Sequence, residues 1–87
     1  MTEPTTAVTV RYFAAVAAAA GVDTETLDLA KDSTVATLVD QLSGRDAELA
    51  RVLKRCSYLL DGVAVRDMDK PLSTSETVDV LPPFAGG

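Results

Sequence analysis

The end of the chain carries the residue types that could support chemistry. It reads Leu81-Pro82-Pro83-Phe84-Ala85-Gly86-Gly87. ATP can activate a terminal carboxylate, such as that of Gly87, as an acyl-adenylate, after which a sulfur nucleophile displaces AMP and leaves a thiocarboxylate. Because glycine has no Cβ, Gly86 and Gly87 can enter a narrow channel and leave the acyl carbon unhindered. The prolines stiffen the exit from the preceding segment, so residues 82–87 are expected to form a flexible tail.

The rest of the sequence excludes several kinds of catalytic site. It has no histidine and a single cysteine, Cys56. Histidine-dependent catalysis, a Cys/His metal cluster and an intrachain disulfide therefore cannot be assembled, and we expect no bound cofactor and no metal. Cys56 continues an apolar helical spacing and is predicted to be a small core residue rather than a reactive thiol. The absence of a disulfide fits a reducing cytoplasm, which is the expected location.

Length and charge limit the possible partners. The 87 residues allow one small domain, which we expect to occupy residues 1–81. The net charge of -5 disfavours nucleic acid, whose phosphates need clustered Lys and Arg, and fits docking onto a basic partner. No apolar run approaches the roughly 18–20 residues of a membrane span, and the polar start of the chain is unlike a signal peptide. No membrane association is expected.

Hydrophobic periodicity predicts the order β, β, α, a second helical piece, β, β, β, with a short helical connector inside the first hairpin. The expected elements are strands at residues 7–13, 24–30, 57–60, 63–65 and 76–81, a helical turn at 14–20 that ends at Gly21, and an apolar helical stripe that starts at residue 35 and repeats from residue 49. This order describes an α+β domain of the β-grasp (ubiquitin-like) class. It has a mixed sheet of about four to five strands with one main helix packed on one face.

Local signals refine the ends of these elements. Ser33 is the preferred N-cap of the first long helix, with Asp32 and Thr34 as alternatives, and Asp46 is a candidate cap for the second. The Asp61-Gly62 pair predicts a tight hairpin turn, because both residues tolerate positive φ. In the second strand Leu27 and Leu29 are expected inward, and Glu25, Thr26 and Asp28 mostly outward.

A docking patch follows from the same alternation. Phe13 and Leu81 fall on the faces of the first and last strands opposite the core positions. In a β-grasp sheet these strands are neighbours, so the two side chains would lie together on the face without the helix. The tail residues Pro82, Pro83, Phe84 and Ala85 would extend this contact to a partner. Two alternatives stay open: Phe13 packs beneath the helical connector, and either Leu59 or its neighbours face outward.

Several segments together resemble a known family, the small subunit of molybdopterin synthase (MoaD-like) within the MoaD/ThiS sulfur carriers. The matching segments are Val10-Arg11-Tyr12-Phe13-Ala14, the helix Val35-Ala36-Thr37-Leu38-Val39-Asp40-Gln41-Leu42, the Asp61-Gly62 hairpin and the closing Leu81-Pro82-Pro83-Phe84-Ala85-Gly86-Gly87. Asp61 stands where the family usually has Asn, and Thr74-Ser75-Glu76 stands where it usually has Gly-Asp-Glu. Both departures lie in turns.

The resemblance implies a reaction cycle in which partner enzymes act on the chain. An E1-like adenylating enzyme would use ATP to adenylate Gly87, and a sulfurtransferase or cysteine desulfurase would supply the sulfur. The thiocarboxylated tail would then enter the large subunit of molybdopterin synthase, in an expected heterotetramer, and donate sulfur to the pterin precursor of the molybdenum cofactor. The large subunit would supply the catalytic side chains, so the chain is not expected to be an enzyme on its own.

The same tail also fits other functions. It could carry sulfur for thiamine, cysteine or the tungsten cofactor. It could belong to a ubiquitin-like modifier that joins Gly87 to lysines of other proteins, or to a β-grasp interaction module with an inert tail. Conjugates in cells would indicate the modifier, and unchanged function after deletion of Gly86-Gly87 would indicate the inert module.

Overall fold

The fold is built on a mixed five-stranded sheet with helices on one face. The strands are β1 (Thr5–Tyr12), β2 (Thr24–Ala30), β3 (Ser57–Leu60), β4 (Val63–Ala64) and β5 (Thr77–Leu81), and the helices are α1 (Ala15–Ala20), α2 (Val35–Ser43) and α3 (Ala47–Leu53). The computed structural model describes residues 4–83, so residues 1–3 and 84–87 lie outside it. The sheet order is β2-β1-β5-β3-β4. This arrangement confirms the β-grasp expectation.

The first and last strands lie side by side at the centre of the sheet. β1 pairs antiparallel with β2 and parallel with β5, and β5 pairs antiparallel with β3. Since side chains alternate along a strand, each central strand buries every second residue against the helices. The buried apolar residues are Val8, Val10, Tyr12, Val16, Leu29, Val35, Leu38, Leu42, Leu49, Leu53, Leu72, Val78 and Val80. The core is almost wholly aliphatic, as the low aromatic content of 5% predicts.

The helices α2 and α3 begin at side-chain caps, one of which differs from the sequence prediction. The Thr34 hydroxyl oxygen accepts the N–H of Thr37 at 3.1 Å and caps α2. The preference for Ser33 was wrong, because its hydroxyl instead donates to the carbonyl of Ala30 at 2.6 Å and closes the preceding turn. Asp46 caps α3 as expected. Among the helices of residues 4–83, none combines the length and apolarity needed to cross a membrane.

Positive φ angles mark the two tight turns that the sequence predicted. Gly21 ends α1 with φ 83°. Asp61 and Gly62, with φ 48° and 84°, connect β3 to β4. The boundaries differ slightly from the prediction, since β4 ends at Ala64 rather than at residue 65. β5 likewise begins one residue later than predicted, at Thr77.

Glu25 lies on the inward face of β2, which corrects its predicted orientation. It shares that face with Leu27 and Leu29 because strand side chains repeat every second residue. The phenol of Tyr12 donates to the Glu25 carboxylate at 2.6 Å, and Arg45 donates to it at 3.0 Å. The charge of Glu25 favoured an outward position, because the two partners that satisfy its carboxylate become neighbours only in the folded chain.

Candidate functional site

The sheet face opposite the helices carries a mixed apolar and charged surface. We call it the open face and define it by Arg11, Phe13, Leu59, Asp79 and Leu81. Arg11 pairs with Asp79 across β1 and β5, and Leu59 pairs with Asp79 across β5 and β3. These positions alternate with the core residues of the same three strands, so their side chains point away from the helices.

The structure decides the orientation of Phe13 and Leu59. The N–H of Phe13 donates to the carbonyl of Val80 at 3.2 Å, which continues the β1–β5 register towards Leu81. The Phe13 side chain is 36% exposed, so it is not buried beneath α1. Tyr58 pairs with the buried Val80, whereas Leu59 pairs with Asp79, so Leu59 is the outward residue of β3.

The open face contains an ion pair that the sequence analysis missed. Arg11 Nε lies 2.6 Å from Asp79 Oδ1, and Arg11 Nη2 lies 2.9 Å from Asp79 Oδ2. Asp79 is only 6% exposed. The Asp79 carboxylate accepts hydrogen bonds from the guanidinium and so raises the pKa of Arg11 above its ordinary value. The sequence did contain a signal for this ion pair. Arg11 and Asp79 carry opposite charges and occupy outward positions of two strands that were expected to be neighbours.

The guanidinium of Arg11 also lies over an aromatic ring. Its Cζ is 5.3 Å from the centroid of the Phe13 ring, within the range of a cation–π contact. Arg11 therefore joins the exposed apolar residue to the buried carboxylate. The pair and the ring form one connected surface rather than separate features.

A hollow of about 380 Å³ adjoins this surface. Its lining includes Arg11, Phe13, Ala14, Asp23 and Thr24. Ala14 has φ 50° and ψ -125°, a conformation that costs a residue other than glycine on the order of 1–3 kcal/mol. This turn separates β1 from α1, and Phe13 is exposed immediately before it.

A larger hollow of about 430 Å³ lies at the opposite end of β5. Its lining includes Leu60, Asp61 and Glu76, together with the cations Arg66 and Lys70. Because Glu76 precedes β5 and Pro82 follows it, this hollow and Pro82 lie at opposite ends of the strand. We therefore place the candidate site at the open face.

The predicted site residues divide into a described and an undescribed group. β5 ends at Leu81, which is half-buried, and continues through the half-buried Pro82 to the exposed Pro83. With Phe13, these residues gather at one end of the sheet. The remaining predicted residues, Phe84, Ala85, Gly86 and Gly87, lie outside the described residues.

Cys56 has the environment of a packing residue. α3 ends at Leu53, so Cys56 follows the helix instead of belonging to it, and it packs half-buried against the core. Its thiol donates to the carbonyl of Val52 at 3.2 Å. Burial raises the pKa of the Cys56 thiol, which lowers the thiolate fraction at neutral pH.

The two turns that depart from the family pattern still hold the sheet together. Asp61 Oδ1 accepts the N–H of Thr77 at 2.8 Å, and the N–H of Asp61 donates to the Thr77 carbonyl at 2.8 Å. Thr74 Oγ1 accepts the N–H of Ala7 at 3.1 Å, and the N–H of Ser75 donates to the Ala7 carbonyl at 2.8 Å. The substituted residues therefore fasten the start of β5 and the start of β1.

The strand order and the helices on one face define a ubiquitin-like protein of the β-grasp class. The family model described as the ThiS family matches residues 10–87. The chain belongs to the ThiS family. No curated protein matches the chain.

Several solved structures have this fold, and three of them are similar to the chain over more than 90% of its length. A protein described as molybdopterin converting factor subunit 1, from Pyrococcus furiosus, is 25% identical with a TM-score of 0.82, over 91% of this chain and 99% of its own. SAMP1 from Haloferax volcanii is 26% identical with a TM-score of 0.78, over 93% of this chain and 99% of its own. In a complex of subunits 1 and 2 of the molybdopterin-converting factor from Helicobacter pylori, the similar chain is 21% identical with a TM-score of 0.68, over 93% and 99%. The chain therefore has the fold of the small ubiquitin-like sulfur carriers.

Proposed function

We propose that the chain is a sulfur carrier that serves as the small subunit of molybdopterin synthase. Residues 1–81 act as the docking domain and residues 82–87 as the tail. An E1-like enzyme adenylates the carboxylate of Gly87 with ATP and releases pyrophosphate. A thiol reductant releases sulfide from the persulfide of a sulfurtransferase or cysteine desulfurase. The sulfide then attacks the acyl carbon, and AMP leaves. The resulting thiocarboxylate donates its sulfur to the pterin precursor of the molybdenum cofactor.

One observation carries this proposal: the family match extends through residue 87 and so includes Gly86-Gly87. The geometry supports it, because β5 ends beside Phe13 and directs the chain from the open face towards the tail. A partner that covers the open face would therefore also meet the tail. Docking and delivery of the reactive end would use one surface.

The proposed partner is the large subunit of molybdopterin synthase, in a heterotetramer. The similar chain from Helicobacter pylori is described in a complex of subunits 1 and 2 of the molybdopterin-converting factor. That likeness motivates the same partner here. The large subunit would provide the side chains for catalysis, and the present chain would provide the sulfur.

Intact mass tests the carrier function. The chain is incubated with ATP, its adenylating enzyme and a sulfur donor, and its mass is compared before and after. The expected change corresponds to one oxygen replaced by sulfur at the C-terminus. A variant without Gly87 should keep its unfolding midpoint and show no change in mass. No shift in the parent chain, with an adenylating enzyme active on another carrier, would contradict the proposal.

Substitutions on the open face test the docking role. Phe13→Asp and Leu81→Asp should each weaken binding of the large subunit, because a charge would replace apolar contact area. Val63→Asp is the matched control, since Val63 is 69% exposed on β4, outside the open face. Equal binding by all three variants, or unfolding caused by the open-face substitutions, would oppose the docking surface.

A second candidate function is protein modification. SAMP1 of Haloferax volcanii, the small archaeal modifier protein 1, has the same fold at 26% identity. A modifier would form an isopeptide bond between Gly87 and a lysine of another protein. Tagged chain expressed in its own organism should then yield conjugates that disappear when Gly87 is deleted. Formation of a thiocarboxylate without any conjugates would support the carrier function and contradict the modifier function.

A further inference from the structure

We propose that Arg11 determines which partners the open face accepts. The fitting partner is an apolar protein surface that places one neutral oxygen acceptor, such as a main-chain carbonyl, against the free edge of the guanidinium. This inference rests on the proposed function and deepens it, because it states the chemistry that a partner must present. It follows from the Arg11–Asp79 pair and from the hollow beside it.

The ion pair fixes the position of Arg11, and among residues 4–83 Nη1 has no hydrogen-bond acceptor. Asp79 accepts from Nε and from Nη2, which orients the guanidinium plane on the open face. Nη1 does not take part in the ion pair, and the Arg11 side chain is 50% exposed. The guanidinium carbon also lies 5.3 Å from the centroid of the Phe13 ring. A rigid donor therefore stands inside an apolar surface.

A purely apolar partner would not fit this surface. It would cover the free N–H groups of Arg11 without supplying an acceptor, and a buried donor without a partner weakens binding by about ten- to a hundredfold. Such a penalty discriminates against wrong partners. The partner must therefore carry an oxygen at this point of its surface.

A charged acceptor also fits poorly. Asp79 already neutralises Arg11. The lining of the adjacent hollow includes Asp23, and the chain carries a net charge of -5. A partner carboxylate would meet these negative groups without a spare cation, whereas a carbonyl, amide or hydroxyl oxygen would accept a hydrogen bond without repulsion.

The test uses the whole chain and its purified large subunit. Arg11→Leu combined with Asp79→Ala removes the pair without changing the net charge. Because the partner oxygen would lose its donor, the dissociation constant should rise at least about tenfold. Arg55→Leu removes an exposed arginine near the end of α3 and should leave binding unchanged. Unchanged or tighter binding by the double variant would overturn the inference.

Salt dependence distinguishes the two kinds of acceptor. Wild type and double variant have the same net charge, so the ratio of their dissociation constants should be equal at low and high salt. A ratio that shrinks as salt rises would mean that the partner group is charged, and would overturn the neutral acceptor.

A second variant covers the case in which the double variant does not fold. Arg11→Lys keeps the charge and the ion pair, but its ammonium group lacks the additional N–H donors that Nη1 of the guanidinium presents to a partner. It should retain the unfolding midpoint and bind about tenfold more weakly. Wild-type affinity in a folded Arg11→Lys chain would contradict the role of the free edge.

The outcomes also separate this inference from the carrier function. If the wild-type chain gains no sulfur and binds no large subunit, the proposed function fails. If it is loaded and bound, but the Arg11 variants bind equally well, only the specificity role fails.

Discussion

The phenol oxygen of Tyr12 lies 2.6 Å from a carboxylate oxygen of Glu25, and this contact joins the end of β1 to the start of β2. Arg45, in the turn between α2 and α3, binds the same carboxylate at 3.0 Å. The network therefore fastens a helical turn to the first hairpin. Loss of the Tyr12 hydroxyl would leave the half-buried Glu25 carboxylate with one hydrogen-bond donor fewer.

Tyr12→Phe should lower the free energy of unfolding by about 1.5–3 kcal/mol, because it removes a hydrogen bond to a charged group. Tyr58→Phe is the matched control. The Tyr58 hydroxyl donates to the neutral carbonyl of Leu53 at 3.0 Å, and its loss should cost about 0.5–1.5 kcal/mol. Urea denaturation of both variants measures the difference. A larger loss in Tyr58→Phe would contradict the importance of the charged acceptor.

Glu25 should make stability depend on acidic pH. Burial raises its pKa, but hydrogen bonds from Arg45 and Tyr12 outweigh burial, so the pKa of Glu25 lies below its ordinary value. The unfolded chain therefore binds this proton more readily than the folded chain. The resulting stabilisation is complete above the unfolded pKa, about 4.3, and is lost as pH falls through the folded pKa.

Urea denaturation of wild type and Glu25→Gln across this range tests that pH dependence. The difference in unfolding free energy should be constant above about pH 5 and should shrink below about pH 4. A difference that grows as pH falls would have the opposite sign and would rule out a lowered pKa.

Ala14→Gly should stabilise the protein. The φ of 50° at Ala14 is strained for a residue with a Cβ, by about 1–3 kcal/mol, whereas glycine adopts it freely. The extra entropy of glycine in the unfolded chain offsets about 0.5–1 kcal/mol of this gain. Ala18→Gly in the regular part of α1 lacks the strain and should only destabilise. Thermal unfolding that ranks the two variants in reverse would show that the turn is not strained.

Substitution by alanine should have different effects on stability at two of the glycines. Gly21 has φ 83° and open space around its missing Cβ, so Gly21→Ala should cost about 1 kcal/mol through backbone conformation alone. Gly44 has φ -74° and would place a Cβ 3.6 Å from the nearest atom, an ordinary contact. Gly44→Ala should therefore be neutral or stabilising by up to about 1 kcal/mol. Equal losses of unfolding free energy in both variants would indicate that packing, and not the φ angle, determines the effect of the substitution.

Cys56 should not take part in sulfur loading. Because burial raises the pKa of its thiol, it should react slowly with iodoacetamide at neutral pH and faster as pH rises. Cys56→Ala should gain sulfur from the adenylating system to the same extent as the parent chain, measured by intact mass. A variant that loses the gain in mass would place the thiol on the sulfur route.

The sequence predicted those parts of the fold that depend on neighbours in the chain. Strand alternation identified Val10, Tyr12 and Val78 as core residues, and Asp61-Gly62 identified the hairpin. The order of elements was enough to bring Phe13 and Leu81 to adjacent strands. The core positions and the hairpin follow from local backbone preferences and from side-chain period, whereas the adjacency of the two strands follows from the β-grasp class.

The sequence could not predict contacts between distant polar residues. The adjacency of β1 and β5 was expected, but their register was not, and the register is what pairs Arg11 with Asp79, 68 positions away. Glu25 was assigned outward for the same reason, since Arg45 reaches it only after α2 has packed. Ser33 and Thr34 both suit a cap, and only the actual backbone path selects Thr34.

The parallel pairing of β1 with β5 also has a consequence for how the protein is made. β1 ends at Tyr12 and its partner begins at Thr77, so everything between them must be synthesised before the centre of the sheet can close. Such a long-range contact makes folding slow compared with a chain of local contacts. The surface that joins Phe13 to Leu81 exists only after this closure. A truncated or half-folded chain therefore lacks the proposed docking surface, so under the proposed function only completely folded chains would bind the large subunit.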